Sequence, residues 1–377
     1  MLRKLSAAIG LLICVSGWGA EAPRAAAVGP GGVVVHTALG GFILGYAIDP
    51  DGGEGILSEA LTLPDGRHDI AVETFDQATG AIVAILRRES DSRNSFATLG
   101  VFGSHVGLTE LDHASHLFVD KRSYALSDPL TANRFTGRWT PPFAAADDII
   151  TSAATNPGAS GAVFLGFRND GRDFRSYVFA SDVGADTFGP VLPVGDPVFD
   201  WNHSPVVALY SAANQAVLGS SNGCFNCPSV IGRVDLSTGA LTEFQGLGLG
   251  YINGIAVDSG TGIVCTTSED DFSVEFYDLV NGTSRIVTMP HAFSQQQSGG
   301  AVAVDPVHRL FLVGQEFSST ALRGSSIQVF DERGNHVESL NGFSLPASPA
   351  AMVLDPARRS GFVIVTPALT SLQSFTY

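Results

Sequence analysis

The sequence is poor in positive charge and in sulfur, and after its first residues it has no long apolar run. Lys and Arg together number 21 of 377 residues, against 37 Asp and Glu, for a formal charge of −16. Nucleic-acid binding rests on neutralised phosphates, so this deficit removes the electrostatic footprint for it. Charged residues of both signs make up only 15% and hydrophobic ones 45%. That balance excludes a disordered chain, which needs the reverse, and a coiled coil, whose composition is dominated by charged helix formers. What the chain has instead is turn chemistry: 43 Gly and 19 Pro, about one residue in six.

The N-terminus pairs Arg3 and Lys4 with an apolar run from Ala7 to Val15. This is the n-region and h-region of a secretory signal, and the run is too short for a membrane anchor. The expected division is a signal peptide over 1–27 and one domain over 28–377, with Gly17/Gly19 and Ala25/Ala27 as alternative cleavage sites. Removing 1–27 takes the formal charge from −16 to near −18. The expected localisation is secreted or periplasmic, without stable membrane insertion.

Export permits oxidation, so Cys224-Phe-Asn-Cys227 is expected to form a small loop disulfide. Gly223 and Pro228 flank the pair, in place of the helix N-terminus that lowers a redox thiol's pKa. Three cysteines follow the signal segment, one short of a four-thiolate zinc site. Cys265 sits in an apolar strand pattern and is expected to be a buried free thiol.

A repeat organises the rest: an apolar run, Asp or a substitute, a turn of about five residues, and another apolar run. The clearest copies carry Asp258, Asp305 and Asp355. Weaker ones are placed at Asp76, Asp112, Asn156 and Ser211. The spacing runs from 36 to 55 residues, in the range of propeller blades. Asp bonds nearby N–H groups, and Gly takes positive φ, so Asp-to-Gly segments read as turns. A second hairpin follows in Asp235-Leu-Ser-Thr-Gly239, Asp278-Leu-Val-Asn-Gly282 and Asp331-Glu-Arg-Gly334. At the N-terminal end, Ile43–Ile48 with Asp49-Pro50 reads as a third strand and its turn, and the run from Gly55 as a fourth. The C-terminal end lacks a fourth strand. The expected fold is an all-β, single β-propeller of seven four-stranded blades, closed by pairing of N- and C-terminal strands. Six and eight blades are the alternatives that the uneven spacing leaves open.

Ala303-Val304-Asp305-Pro306 and the run 234–239 resemble YVTN/NHL-type β-propellers, including their lactonase-like branch. The likeness covers about 150 residues and implies fold more than function. Ser181-Asp182-Val-Gly184-Ala-Asp-Thr187-Phe188 is similar to the Asp-box turn of sialidase-like propellers. It is one residue too long and occurs once, so it is read as a structural hairpin.

Residues before each inner strand converge on the mouth of a propeller's channel. With the anchors above, the candidates there are Asp69, His105, Asp148, Trp201, His203 and Asn253. Asn253-Gly254-Ile255 resembles the Asn-Gly-Ile/Leu run of gluconolactonase-like propellers, whose Asn belongs to a channel metal site. The resemblance implies a possible divalent metal, Ca²⁺ or Zn²⁺, held by Asn253 with Asp69, Asp148 and His203. Such a metal would polarise a lactone carbonyl and activate water. That family's metal-binding Glu near the chain start has no counterpart, and no general base is assignable. The first expectation is therefore a non-catalytic exported binding or scaffold protein using its channel face for a small ligand or protein partner. The alternative is a metal-dependent lactonase-like hydrolase.

Overall fold

Apolar runs separated by Asp-anchored turns fold into antiparallel sheets that follow one another along the chain. The computed structural model describes residues 29–49, 53–64, 68–92, 94–102, 105–112, 118–125, 134–135, 148–155, 161–169, 174–182, 187–194, 206–221, 228–249, 252–268, 273–290, 297–318, 323–343, 352–365 and 370–377. Among these, twenty-nine strands form seven sheets. After β1 (Gly29–His36), the first sheet is β2 (Phe42–Ile48), β3 (Glu54–Thr62), β4 (His68–Asp76) and β5 (Ile82–Ser92). The second is β6 (Asn94–Phe102), β7 (His105–Asp112), β8 (Phe118–Ala125) and β9 (Arg134–Phe135). The third is β10 (Asp148–Thr155), β11 (Gly161–Asn169) and β12 (Phe174–Asp182), with β13 (Thr187–Phe188) and β14 (Leu192–Pro193) both on β12. The fourth is β15 (Val206–Tyr210), β16 (Gln215–Ser221), β17 (Pro228–Asp235) and β18 (Leu241–Leu249). The fifth is β19 (Ile252–Asp258), β20 (Ile263–Ser268), β21 (Ser273–Asp278) and β22 (Thr283–Thr288). The sixth is β23 (Gln297–Asp305), β24 (Leu310–Ser318), β25 (Arg323–Asp331) and β26 (His336–Phe343). The last joins β27 (Met352–Asp355), β28 (Ser360–Val365) and β29 (Ser371–Thr376) to β1.

The leading strand of each sheet touches the leading strand of the next: β2 to β6, then β10, β15, β19, β23, β27 and back to β2. That closed ring is the inner wall of a β-propeller. The expected closure is present, with β1 as outer strand on β29 (Val35 opposite Leu372, His36 opposite Ser371). Closure of this kind removes the exposed edges that an open array would leave.

Packing follows position in the sheet. β21 is buried along nearly its whole length, because both of its faces meet neighbouring sheets. The outer strand β22 alternates between exposed and half-buried residues. Each apolar cluster sits between consecutive sheets. Phe276 of the fifth sheet meets Phe311 of the sixth edge-on at 5.6 Å. Phe75 of the first meets Phe362 of the last at 5.5 Å, and Tyr46 donates to the Phe362 carbonyl at 3.0 Å. Burying each such ring contributes about 1.5–3 kcal/mol. Cys265 is a buried free thiol at the fifth–sixth seam, and burial pushes its pKa up, which suits an inert core residue.

Two expectations about register are corrected. The segment Phe42–Ile48 is the innermost strand of the first sheet and Glu54–Thr62 its second, not a third and a fourth. Asp76 accordingly closes a third strand, and Asp112 a second. The turn after an innermost strand is marked by a positive-φ residue four positions on from its first: Gly53, Asn214, Gly262, Arg309 and Arg359 follow Asp49, Tyr210, Asp258, Asp305 and Asp355. Asp76 instead matches Asp235, Asp278 and Asp331, each followed by a positive-φ glycine at 80, 239, 282 and 334. The Asp-box-like segment does form a hairpin, β12 with β13.

Candidate functional site

Within its sheet each innermost strand pairs only with its second strand, so its other edge lines the central channel. Among the described residues, the side chains that line its cavity are small or apolar. A cavity of about 210 Å³ runs along Ala154, Ala208, Ile255, Ala303, Met352 and Pro356, residues drawn from β10, β15, β19, β23 and the β27 turn. This part of the wall can offer apolar contact and backbone hydrogen bonds, and it carries no acid, base or nucleophile.

The innermost strands share a second device. β2, β6, β10, β19 and β23 are bulged near their starts, at Leu44, Ala97, Thr151, Asn253 and Gly300-Ala301. A bulge leaves a residue out of the ladder and re-aims it. Asn253 is therefore a bulge residue inside β19, not part of a tight turn. Its neighbour Gly254 has a packing reason of its own. A Cβ there would lie 2.4 Å from the Gly300 carbonyl and 2.8 Å from Thr267 Oγ1, which itself donates to Gly300 O at 2.6 Å.

The six sequence candidates do not form one set. Asp148 begins innermost strand β10 and Asn253 lies near the start of β19, so these two share the end of the ring where the leading strands enter. Asp69 lies at the start of β4, a third strand. His105 begins β7, a second strand, at the opposite end of its sheet from the start of β6. Both were placed by anchors in the wrong frame. The first and second sheets present Phe42 and Asn94 where a channel-mouth residue belongs. Trp201, His203, Cys224, Cys227 and the 1–27 segment lie outside the described residues. Among the described residues no three His, Cys, Asp or Glu side chains meet as a metal-binding group.

Sequence reasoning missed the acids that hold the entry loop of the first sheet. Glu59 on β3 accepts the N–H groups of Leu39 (2.7 Å) and Gly41 (2.8 Å), and Glu73 on β4 accepts that of Ala38 (3.1 Å). Both side chains are fully buried, and Glu73 is pushed up to about 8, by burial first and then by its hydrogen bond to Glu59. Gln315 holds the same strand position in the sixth sheet and donates to Pro290 O at 2.7 Å in the loop before β23. The available signal was a long polar residue ten positions after Asp49 and Asp305, inside the second strand.

The opposite end of the ring is held by aspartates. Asp305 Oδ1 accepts the N–H groups of Val307 (2.9 Å) and His308 (3.0 Å). Its Oδ2 meets His308 Nδ1 at 2.8 Å and accepts the Tyr377 hydroxyl at 2.9 Å, which latches the sixth sheet to the last. Burial and then the Asp305 charge push the Tyr377 phenol up. Asp355 accepts from Arg358 N–H at 3.2 Å and Nη1 at 2.8 Å. Glu332 of the sixth sheet faces Asp258 of the fifth and accepts the Thr261 hydroxyl at 2.7 Å.

No family model matches the chain, and no curated protein matches it in sequence. Its fold is similar to solved chains. One from a mitotic checkpoint complex gives a TM-score of 0.57 at 13% identity, covering 98% of this chain and 99% of that one. U3-55K gives 0.61 at 12%, covering 93% and 100%, and the WD40 repeats of RRP9 give 0.60 at 11%, covering 93% and 99%. At these identities the likeness fixes the β-propeller fold and nothing finer.

Proposed function

We propose that the chain is an exported β-propeller that binds a ligand or protein partner through the face of its central channel, without catalysing a reaction. The observation that carries this reading is the cavity wall drawn from β10, β15, β19, β23 and β27, whose lining side chains among the described residues are small or apolar. That chemistry suits an extended peptide or a largely apolar small molecule. The solved chains of similar fold include one from an assembled checkpoint complex, which agrees with an interaction role. The lactonase-like reading draws on the Asn253-Gly254-Ile255 resemblance, and the approach of Gly300 accounts for Gly254 without a metal.

The test is co-purification from the exported fraction, comparing the natural chain with Ala303→Arg and Ala154→Arg, both of which crowd the channel. A bound ligand or partner, identified by native mass spectrometry and lost in both variants at unchanged Tm, supports the reading. Retention in both variants overturns it.

A further inference from the structure

The turns that close β23 and β27 are built alike. Each buries its one acid, Asp305 at 0% and Asp355 at 1% exposure, and turns basic groups outward. The side chain of Arg309 is 68% exposed and that of Arg358 is 54%, with Arg359 exposed beside it and His308 at 36%. The two turns adjoin through one chain of contacts. His308 meets Asp305, Tyr377 donates to Asp305, and the Arg359 guanidinium lies 5.6 Å from the Tyr377 ring centre. Pro356, between Asp355 and the arginines, also lines the channel cavity, so the basic cluster borders the channel's exit. Exposed Pro306 and Val307 add an apolar edge, Val307 at 67% exposure.

The backbone supplies an independent argument. Arg309 and Arg359 sit at φ 57° and 49°, in the left-handed region. The corresponding turns of the first, fourth and fifth sheets use Gly53, Asn214 and Gly262, the residue types that adopt this conformation at least cost. In two adjoining turns the cheaper residue is replaced by an exposed arginine, and strain of this kind points to a use for the side chain.

We propose that this face of the sixth and last sheets is a docking surface for an acidic, extended segment of a partner protein, seated on Arg309, Arg358 and Arg359 with an apolar residue against Pro306 and Val307. Guanidinium groups present paired donors that fit carboxylates. The chain's net charge of −16 disfavours a long nucleic-acid polyanion, whereas a short acidic peptide needs only the local field. Two acids neighbour the arginines: Glu332, 15% exposed, whose Oε2 lies 3.7 Å from Arg309 Nη1, and buried Asp355, whose Oδ2 accepts from Arg358 Nη1 at 2.8 Å while the Arg358 side chain stays 54% exposed. This surface lies at the other end of the ring from the entry loops and does not depend on what the channel binds.

The experiment is fluorescence anisotropy with the full exported chain and a labelled dodecapeptide of Asp and Glu around a central Leu. A Gln/Asn peptide of the same length and a twelve-nucleotide oligothymidine are the comparators. The expected result is saturable binding of the acidic peptide, weakening as salt rises from about 50 to about 300 mM. The double variant Arg309→Gly/Arg359→Gly should lose at least about tenfold in affinity while its Tm stays level or rises, because glycine relieves both positive-φ sites. No saturable binding, binding undiminished in the double variant, or oligothymidine bound as tightly as the peptide overturns the proposal.

Discussion

The two ends of the inner ring are held by different means. At the exit end the turns of the fifth, sixth and last sheets close on themselves: an aspartate accepts an N–H group two or three residues on, Asp305 accepting both, and a positive-φ residue completes the bend. At the entry end of the first and sixth sheets the loop is held from below by a residue on the second strand, Glu59 or Gln315, about twenty residues away in sequence. The local device closes its turn within five residues, although Asp305 also accepts the Tyr377 hydroxyl from the last sheet. A remote one works only after the sheet has formed, and it leaves the loop's own sequence free to vary.

The comparison can be broken from the exit end first. Asp305→Ala orphans two backbone N–H groups, the His308 ring and the Tyr377 hydroxyl at a buried seam. A loss of about 3–5 kcal/mol is expected in urea unfolding. Asp305→Asn, which keeps the acceptor for the N–H groups, should lose clearly less. At the entry end, Glu59→Ala frees the Leu39 and Gly41 N–H groups, for about 2 kcal/mol. Hydrogen exchange should rise at residues 39 and 41 before it rises in β3.

A buried acid at the entry end and an exposed one in an outer hairpin respond to pH in opposite ways. Glu73 is raised to about 8 in the folded state against an ordinary 4.5, so the folded state holds its proton more tightly. Its contribution is full below about pH 4.5 and is lost as pH rises through about 8. Glu73→Gln should flatten that part of the stability profile, and an unchanged profile would count against the raised Glu73 carboxyl. Asp235 behaves the other way. The Ser237 N–H first, then the Thr238 N–H and hydroxyl, hold its carboxyl below the usual range, so its contribution is present above about pH 4 and fades as pH falls through the lowered value. Because Asp235 is solvent-exposed, Asp235→Ala should give the smallest effect of the set, a Tm fall of no more than about 2 °C.

The same contrast explains what the sequence made legible. The turns at Asp258, Asp305 and Asp355, and the hairpins at 235–239, 278–282 and 331–334, could be read because their chemistry is local. The frame of the first two sheets could not. Asp76-Gln-Ala-Thr-Gly80 uses the same Asp-to-N–H bonds as an innermost turn, with Asp76 Oδ1 accepting from Ala78 and Thr79 N–H at 3.0 and 2.7 Å. What separates the two classes is burial: Asp258, Asp305 and Asp355 are enclosed by the next sheet, while Asp76 and Asp235 are open to water. That difference arises between sheets and leaves no mark within five residues. The shift of frame carried Asp69 and His105 into the channel-mouth set and left out Phe42 and Asn94. Asn253 and Asp148 were placed at the right end of the ring because the ends of β10 at Thr155 and of β19 at Asp258 were framed correctly. Glu59 and Glu73 were passed over because an acid inside an apolar strand announces no partner until the loop it holds has been folded over it.

The central claim is that the channel binds and does not catalyse. It is tested most directly by elemental analysis of the chain, purified without a metal-affinity step, together with its Tm with and without chelator and its turnover of lactones. The account predicts well under one divalent ion per chain, no change in Tm on chelation and no lactone hydrolysis. One Ca²⁺ or Zn²⁺ per chain, removed by chelator with a fall in both Tm and lactone hydrolysis, would contradict it.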